Sequence, residues 1–247
     1  MVPYYRKFLN FDRRYFATAV IDLKGINRKG KLQQHHHNSE SATGRDLKPV
    51  EFDSNFESGN LFHVYNVGHD HYELVLQNDI NTRGNNQWFF FRVKNVQRNR
   101  TLRFSIVNLI KSDSLFNYGM KPTVFSKVRY ERRNIGWIRE GQKISYEPNQ
   151  IKRECKETHF YTLNFEYKFQ HDDDTVYFSH SYPYTYSDLS NYLTGVFARK
   201  EVGRSVTLKS LGRTVGKNRI DLLSVTSKKN SSKQKKIVWI LARQHPG

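Results

Sequence analysis

The 247-residue chain reads as a mainly β amino-terminal domain, an antiparallel β-sandwich, followed by the opening of an α/β domain. Three observations predict this. Short apolar or alternating runs, separated by Gly, Asn, Pro and Asp, fill residues 52 to 180 at the spacing of an all-β domain. After Pro183 the apolar period changes to that of a helix. Near the end, Ile237 to Leu241 are five consecutive apolar residues rich in branched side chains, the composition of a strand buried on both faces of a helix-covered sheet.

The organisation follows as an extension over 1–50, a β-sandwich domain over 51–181 and an α/β segment over 182–247. In the extension, aromatic and basic residues alternate up to Phe16, and Ala17 to Leu23 suit a short strand. Gly25 to Pro49 are polar and rich in Gly, Lys, Gln, His and Ser, the composition of a linker. His35-His36-His37 within it read as a solvated tract rather than a metal cluster. In the sandwich, strands are expected at Tyr72–Leu76, Trp88–Val93, Thr101–Leu109, Ile135–Ile138 and Thr175–Phe178, with Asn81 to Asn86 as a hairpin connection. The clearest strand is Tyr161 to Phe169, where aromatic residues or Leu alternate with polar ones, giving one buried and one wet face. No helical period stands out between Phe52 and His180.

Beyond Pro183, Leu189, Tyr192, Leu193, Val196 and Phe197 form the apolar stripe of an amphipathic helix. Thr185 and Asp188 form a near capping box, with Ser187 as an alternative cap. Two strands follow, Ser205–Leu211 and Ile220–Thr226, joined through Gly212 and Gly216. A basic loop, Ser227 to Lys236, leads into the apolar run and then to His245. In sheets covered by helices, ligands sit at the carboxyl ends of strands, where this histidine falls.

The formal charge of +18, with 37% hydrophobic and 14% aromatic residues, describes one or two packed cores whose surface attracts acidic partners. The basic residues read as spread along the chain. The single cysteine, Cys155, excludes a disulfide framework and any Cys-based zinc motif, and fits a reducing compartment. No apolar run approaches the ~20 residues a membrane span requires. Asp12, Arg13 and Arg14 interrupt any signal-peptide core, so cytoplasm is the expected location and the sequons at Asn99 and Asn230 are expected to be unused.

Several segments then align in order with one family. They are Phe56-Glu57-Ser58-Gly59-Asn60-Leu61; Ile106-Val107-Asn108 with Lys111, Gly119-Met120 and Pro122; Gly136-Trp137 with Gly141 and Tyr146; Tyr182 to Tyr186 with Leu189; and Ala242-Arg243-Gln244-His245-Pro246-Gly247. From about Phe52 to Gly247 the chain resembles the cytosolic carboxypeptidases, a branch of the zinc metallocarboxypeptidases. The resemblance implies a small antiparallel β domain packed against an α/β catalytic domain. In that family the strand ends in His-Pro-Gly-Glu, and the His and Glu are two of three protein ligands of a zinc ion. By that pattern His245 is a metal ligand. The acidic ligand would follow Gly247, which leaves the carboxypeptidase domain incomplete and the chain inactive on its own. Partners implied are acidic C-terminal protein tails such as tubulin's, from which many members trim glutamates, with a cytoplasmic and cytoskeleton-associated location. Neither a membrane nor nucleic acid is an expected partner on this reading.

Other constellations are weaker. Gly212-Arg-Thr-Val-Gly216-Lys217-Asn218 is one residue short of a phosphate loop and lacks its Ser or Thr, so it reads as a turn. His63, His69 and His71 lack the spacing of a metal set, and Asp172-Asp173-Asp174 read as a solvated turn. Cys155 among Lys152, Arg153 and Lys156, which could depress a thiol pKa, has no catalytic His or Asn pattern with it and reads as an exposed or half-buried thiol. Trp88 to Phe91 beside Arg83 and Arg92 could stack bases, but suit a buried central strand better. Lys228, Lys229, Lys233, Lys235 and Lys236 form the densest basic patch, a candidate contact for acidic tails. The alternative function is therefore a basic β-sandwich module binding acidic tails or nucleic acid.

Overall fold

The structure, a computed structural model, describes residues 20–22, 49–79, 86–152, 158–199, 205–227 and 235–242. These divide into two units, with the boundary between Pro183 and Tyr184.

The first unit is a sandwich of two sheets. One has six strands in the order β1 (Val20–Asp22), β3 (Leu61–Gly68), β4 (His71–Leu76), β6 (Thr101–Leu109), β10 (His159–Lys168) and β9 (Gln142–Lys152). The other has five, in the order β2 (Glu51–Asp53), β5 (Phe90–Lys94), β11 (Val176–Ser179), β7 (Thr123–Ser126) and β8 (Ile138–Arg139). Pairing is antiparallel except for β1 with β3 and β4 with β6. The β4–β6 pair is parallel because the intervening chain crosses over through β5 in the opposite sheet, the connection that parallel neighbours require.

Alternation in the sequence becomes alternation of faces. Leu163, Phe165 and Tyr167 on β10 point inward and are buried, and Phe104 and Ile106 on β6 meet them. From the other sheet come Phe91 on β5 and Phe178 on β11, which pair directly. The layers interlock through aromatic rings: Phe104 lies 5.1 Å from Phe178, and Phe52 lies 4.8 Å from Tyr72. Pro148 sits within β9, at the sheet's edge, where a missing N–H costs no ladder bond.

Among its described residues the sandwich also holds an α-helix that no apolar period announces. α1 (Lys127–Arg133) is capped by the Ser126 side chain, which accepts from the Arg129 N–H, and ends at Asn134 in the left-handed region. Asp174 fixes this start. Its carboxylate accepts from Ser126 Oγ (2.5 Å) and from the Val128 N–H (3.1 Å), and the residue is buried. The expectation of a solvated Asp172–Asp174 turn therefore fails at Asp174, because a helix N-terminus needs an acceptor there. The strand expected at Ile135–Ile138 contracts to β8, since Ile135 to Trp137 form the exit from α1.

The second unit opens with α2 (Tyr186–Phe197). Thr185 and Asp188 form the full reciprocal capping box, and Leu193 on the apolar stripe is buried. It continues as an antiparallel hairpin of β12 (Val206–Arg213) and β13 (Arg219–Val225). Ile237 to Leu241 form no strand and are 72–87% exposed. Their composition suits a strand covered on both sides, but no described strand pairs with them, and a strand needs backbone partners.

Candidate functional site

The residue that carries the expected chemistry, His245, lies outside the described residues, as do Cys155, His35 to His37, Asn81 to Asn85 and Lys228, Lys229 and Lys233. The apolar run that leads to His245 is described and exposed. Of the basic loop, Lys235 is visible. Its ammonium donates to Thr226 Oγ1 (2.9 Å) and to the Ser227 carbonyl (2.5 Å) at the end of β13.

Among the described residues no three His, Cys, Asp or Glu side chains gather to hold a metal ion. The histidines of the sandwich have other duties. His69 is exposed beside Asp70. His71 Nε2 lies 2.8 Å from Ser105 Oγ, which donates in turn to Asn164 Oδ1 (2.6 Å). Asn164 Nδ2 continues to Ser145 Oγ (3.1 Å), so the polar row crosses four strands on the outer face of the six-stranded sheet. The Ser105 proton is committed to an amide oxygen, so this row is a structural ladder and not a nucleophile with its base.

The segments that carry the family resemblance turn out to be devices of the sandwich. Gly59 turns against the Ser54 carbonyl, which an added Cβ would meet at 2.2 Å. The Asn60 side chain donates to the Trp88 carbonyl (2.7 Å) and accepts from the Phe90 N–H (3.0 Å), and Trp88 Nε1 donates to the Ser58 carbonyl. Asn108 closes the end of β4 by bonding both the N–H and the C=O of Leu76 at 2.9 Å. Tyr146 donates to the Lys111 carbonyl at 2.6 Å.

The run Trp88 to Phe91 splits between two faces. Phe89 and Phe91 enter the core, whereas Phe90 joins Phe56, Tyr177 and Trp137 outside the five-stranded sheet, in edge-on contacts of 4.8 to 6.4 Å. Arg92 lies over the Phe56 and Tyr177 rings and is ion-paired with Asp53. Rings packed edge to face on one another leave few open faces for bases, so this surface does not suit single-stranded nucleic acid. Sequence reading missed the cluster because its members are far apart in the chain: Phe90 and Tyr177 meet through the pairing of β5 with β11, and Phe56 and Trp137 come from segments outside the strands.

His180 is the most perturbed base described. It packs edge-on between Phe89 and Phe116, and burial holds its imidazole down at about 4, helped by the charges of Arg139 and Lys111. Above about pH 6.5 the ring is neutral in folded and unfolded chains alike and contributes nothing to pH dependence. As pH falls below that, the unfolded chain takes up a proton that the folded one refuses, so stability drops until about pH 4. A loss of roughly 2 kcal/mol over that window is expected, reduced for the ring's partial exposure. Urea titrations at pH 7 and pH 4.5 check it: the difference attributable to residue 180 must vanish in His180→Phe.

Charge is not evenly spread, contrary to the sequence expectation. The 61 residues from Tyr184 to Gln244 hold 13 Lys and Arg against three Asp and Glu, so this unit carries ten of the 18 net positive charges. The Gly212–Asn218 segment is a turn, as expected. Thr214 exchanges hydrogen bonds with Lys217 and Asn218, and Arg213 Nη1 donates to the Lys217 carbonyl (2.8 Å).

A model of the cytosolic carboxypeptidase N-terminal domain matches residues 52–180. The chain is 39% identical over 228 residues to cytosolic carboxypeptidase 2 of Xenopus tropicalis, covering 91% of this chain and 23% of that protein. It is 41% identical over 207 residues to cytosolic carboxypeptidase 2 of Mus musculus, covering 83% of this chain and 24% of the relative. The chain thus spans about a quarter of the length of the curated relatives it matches. A crystal structure of a metallo-carboxypeptidase from Burkholderia cenocepacia aligns with a TM-score of 0.58 at 20% identity, over 81% of this chain and 45% of that one. At that identity the likeness speaks for the fold.

Proposed function

Since this chain belongs to the cytosolic carboxypeptidase family, we propose that it is the amino-terminal part of a zinc metallocarboxypeptidase that removes residues from acidic C-terminal protein tails, tubulin's among them. The β-sandwich is its non-catalytic domain, and the second unit opens its α/β domain. His245 is proposed as the first zinc ligand, at the end of the apolar run, where the family pattern puts it. The cytoplasm, with the cytoskeleton, is the proposed location. Among the described residues no helix is long and apolar enough to cross a membrane.

The observation that carries this reading is the family match over residues 52–180, most of the sandwich. The donor set limits it. Catalytic zinc takes three protein ligands, and the described residues offer no cluster of that kind. The described residues therefore do not by themselves fit the ion, and no step of peptide hydrolysis is assigned to them.

The expected result is that the purified 247-residue chain, with zinc added, releases no glutamate from a glutamate-ended peptide. Chelator-sensitive release would show that the chain holds a complete centre and would overturn the proposal.

A further inference from the structure

We infer that the β12–β13 hairpin, from Lys209 on β12 to the turn at Lys217, is an anchoring surface for an acidic polypeptide segment. Cations accumulate around a rigid turn. Arg213, Lys217 and Arg219 fall within seven residues, Lys209 precedes them on β12, and all four are exposed. The turn holds itself through its own hydrogen bonds, with Lys217 in the left-handed region at φ 65°. The acids of the unit among the described residues offset only part of this charge: Asp188 is consumed in the α2 cap, and Asp221 is paired with Arg219 at 2.5 Å. The side chains of Lys209 and Lys217 have no ion-pair partner among the described residues, so both ammonium groups are available to a carboxylate-rich chain.

The choice of polypeptide over nucleic acid has two supports. Between Val206 and Val225 there is no aromatic residue, and the ring that meets the hairpin, Tyr186, whose hydroxyl accepts from the Arg219 N–H at 3.1 Å, is half-buried, so no row of open rings is offered to bases. The second support rests on the peptidase reading above, since a peptidase surface meets peptide. Like any association through exposed charges, the contact weakens as salt screens it.

The test is fluorescence anisotropy of a labelled ten-residue glutamate peptide titrated with the 247-residue chain at low and at physiological salt. A labelled thymidine decamer serves as competitor class. The Lys209→Gln/Lys217→Asn double variant, whose asparagine tolerates the left-handed position, is expected to bind the peptide about five- to tenfold more weakly. The Lys209→Arg/Lys217→Arg variant is expected to retain wild-type affinity, which separates lost charge from lost fold. Unchanged affinity in the neutral variant overturns the inference. So does tighter binding of the decamer with the same loss in the variant, which would make the surface a nucleic-acid site. Neither zinc nor turnover enters the measurement, so its failure leaves the metallocarboxypeptidase assignment standing, and failure of that assignment leaves the binding result intact.

Discussion

Replacing Phe178 with alanine is expected to cost the sandwich about 4 kcal/mol, within the range for emptying a fully buried phenylalanine site. Phe178 is fully buried on β11, the middle strand of the five-stranded sheet. Its ring lies 5.3 Å from Phe91 in its own layer and 5.1 Å, 5.9 Å and 5.2 Å from Phe104, Phe165 and Tyr167 in the other. It is thus the ring through which the two sheets touch most. Removing it leaves a cavity whose walls are other aromatic rings, held by strands on both sides and therefore slow to collapse. Small domains have only about 5–15 kcal/mol in total, so the loss should show as a large fall in urea midpoint, followed by the fluorescence of Trp88 and Trp137. Phe178→Leu, which keeps most of the volume, should cost about 1–2 kcal/mol. A midpoint for the alanine variant matching that of the surface variant Lys168→Ala would mean that the sheets do not meet at this ring.

How far the sequence revealed such a core depends on the kind of signal. β10 was legible because its two faces differ in every residue from Tyr161 to Phe169, and α2 because a capping pair and an apolar stripe agree. β3 and β9 were not. His63, Asn66, Pro148 and Asn149 break their alternation, and they are strands because neighbours supply the pairing, as β4 does for β3 and β10 for β9. α1 is seven residues, mostly charged, and exists because Ser126 and Asp174 cap it from outside its own sequence. Ile237 to Leu241 fail in the opposite sense: a strand composition without a described strand to pair with. The site was legible only as a motif. Motif order gave the family, but the structure assigns most of those residues to turns and strand ends, and His245, the proposed metal ligand, lies outside the described residues. The uneven charge was within reach of the sequence, since the boundary expected at 182 already sets 13 Lys and Arg against three Asp and Glu beyond it; it escaped because a sum over the whole chain hides a difference between segments.

The buried ion pair of α1 provides the second large effect. Arg129 has only 6% of its side chain exposed, and its guanidinium donates to Glu140 at 2.8 Å and to the Val124 carbonyl at 3.4 Å, while Nε has no partner. Glu140 is 25% exposed, so water reaches one side of the pair. Arg129→Ala leaves that carboxylate facing an apolar void. Breaking buried pairs in this way costs about 3–5 kcal/mol, and the hydrated side of Glu140 places the expectation at about 3 kcal/mol. The pair as a whole is worth far less, because an incompletely satisfied guanidinium has already lost its hydration. Arg129→Met together with Glu140→Gln removes both charges while keeping the volume, and should fall within about 1 kcal/mol of the wild type. Urea unfolding of the two variants separates these cases. If the double variant is as unstable as Arg129→Ala, the guanidinium contributes through its bond to Val124 on β7, and α1 is anchored by that carbonyl rather than by Glu140.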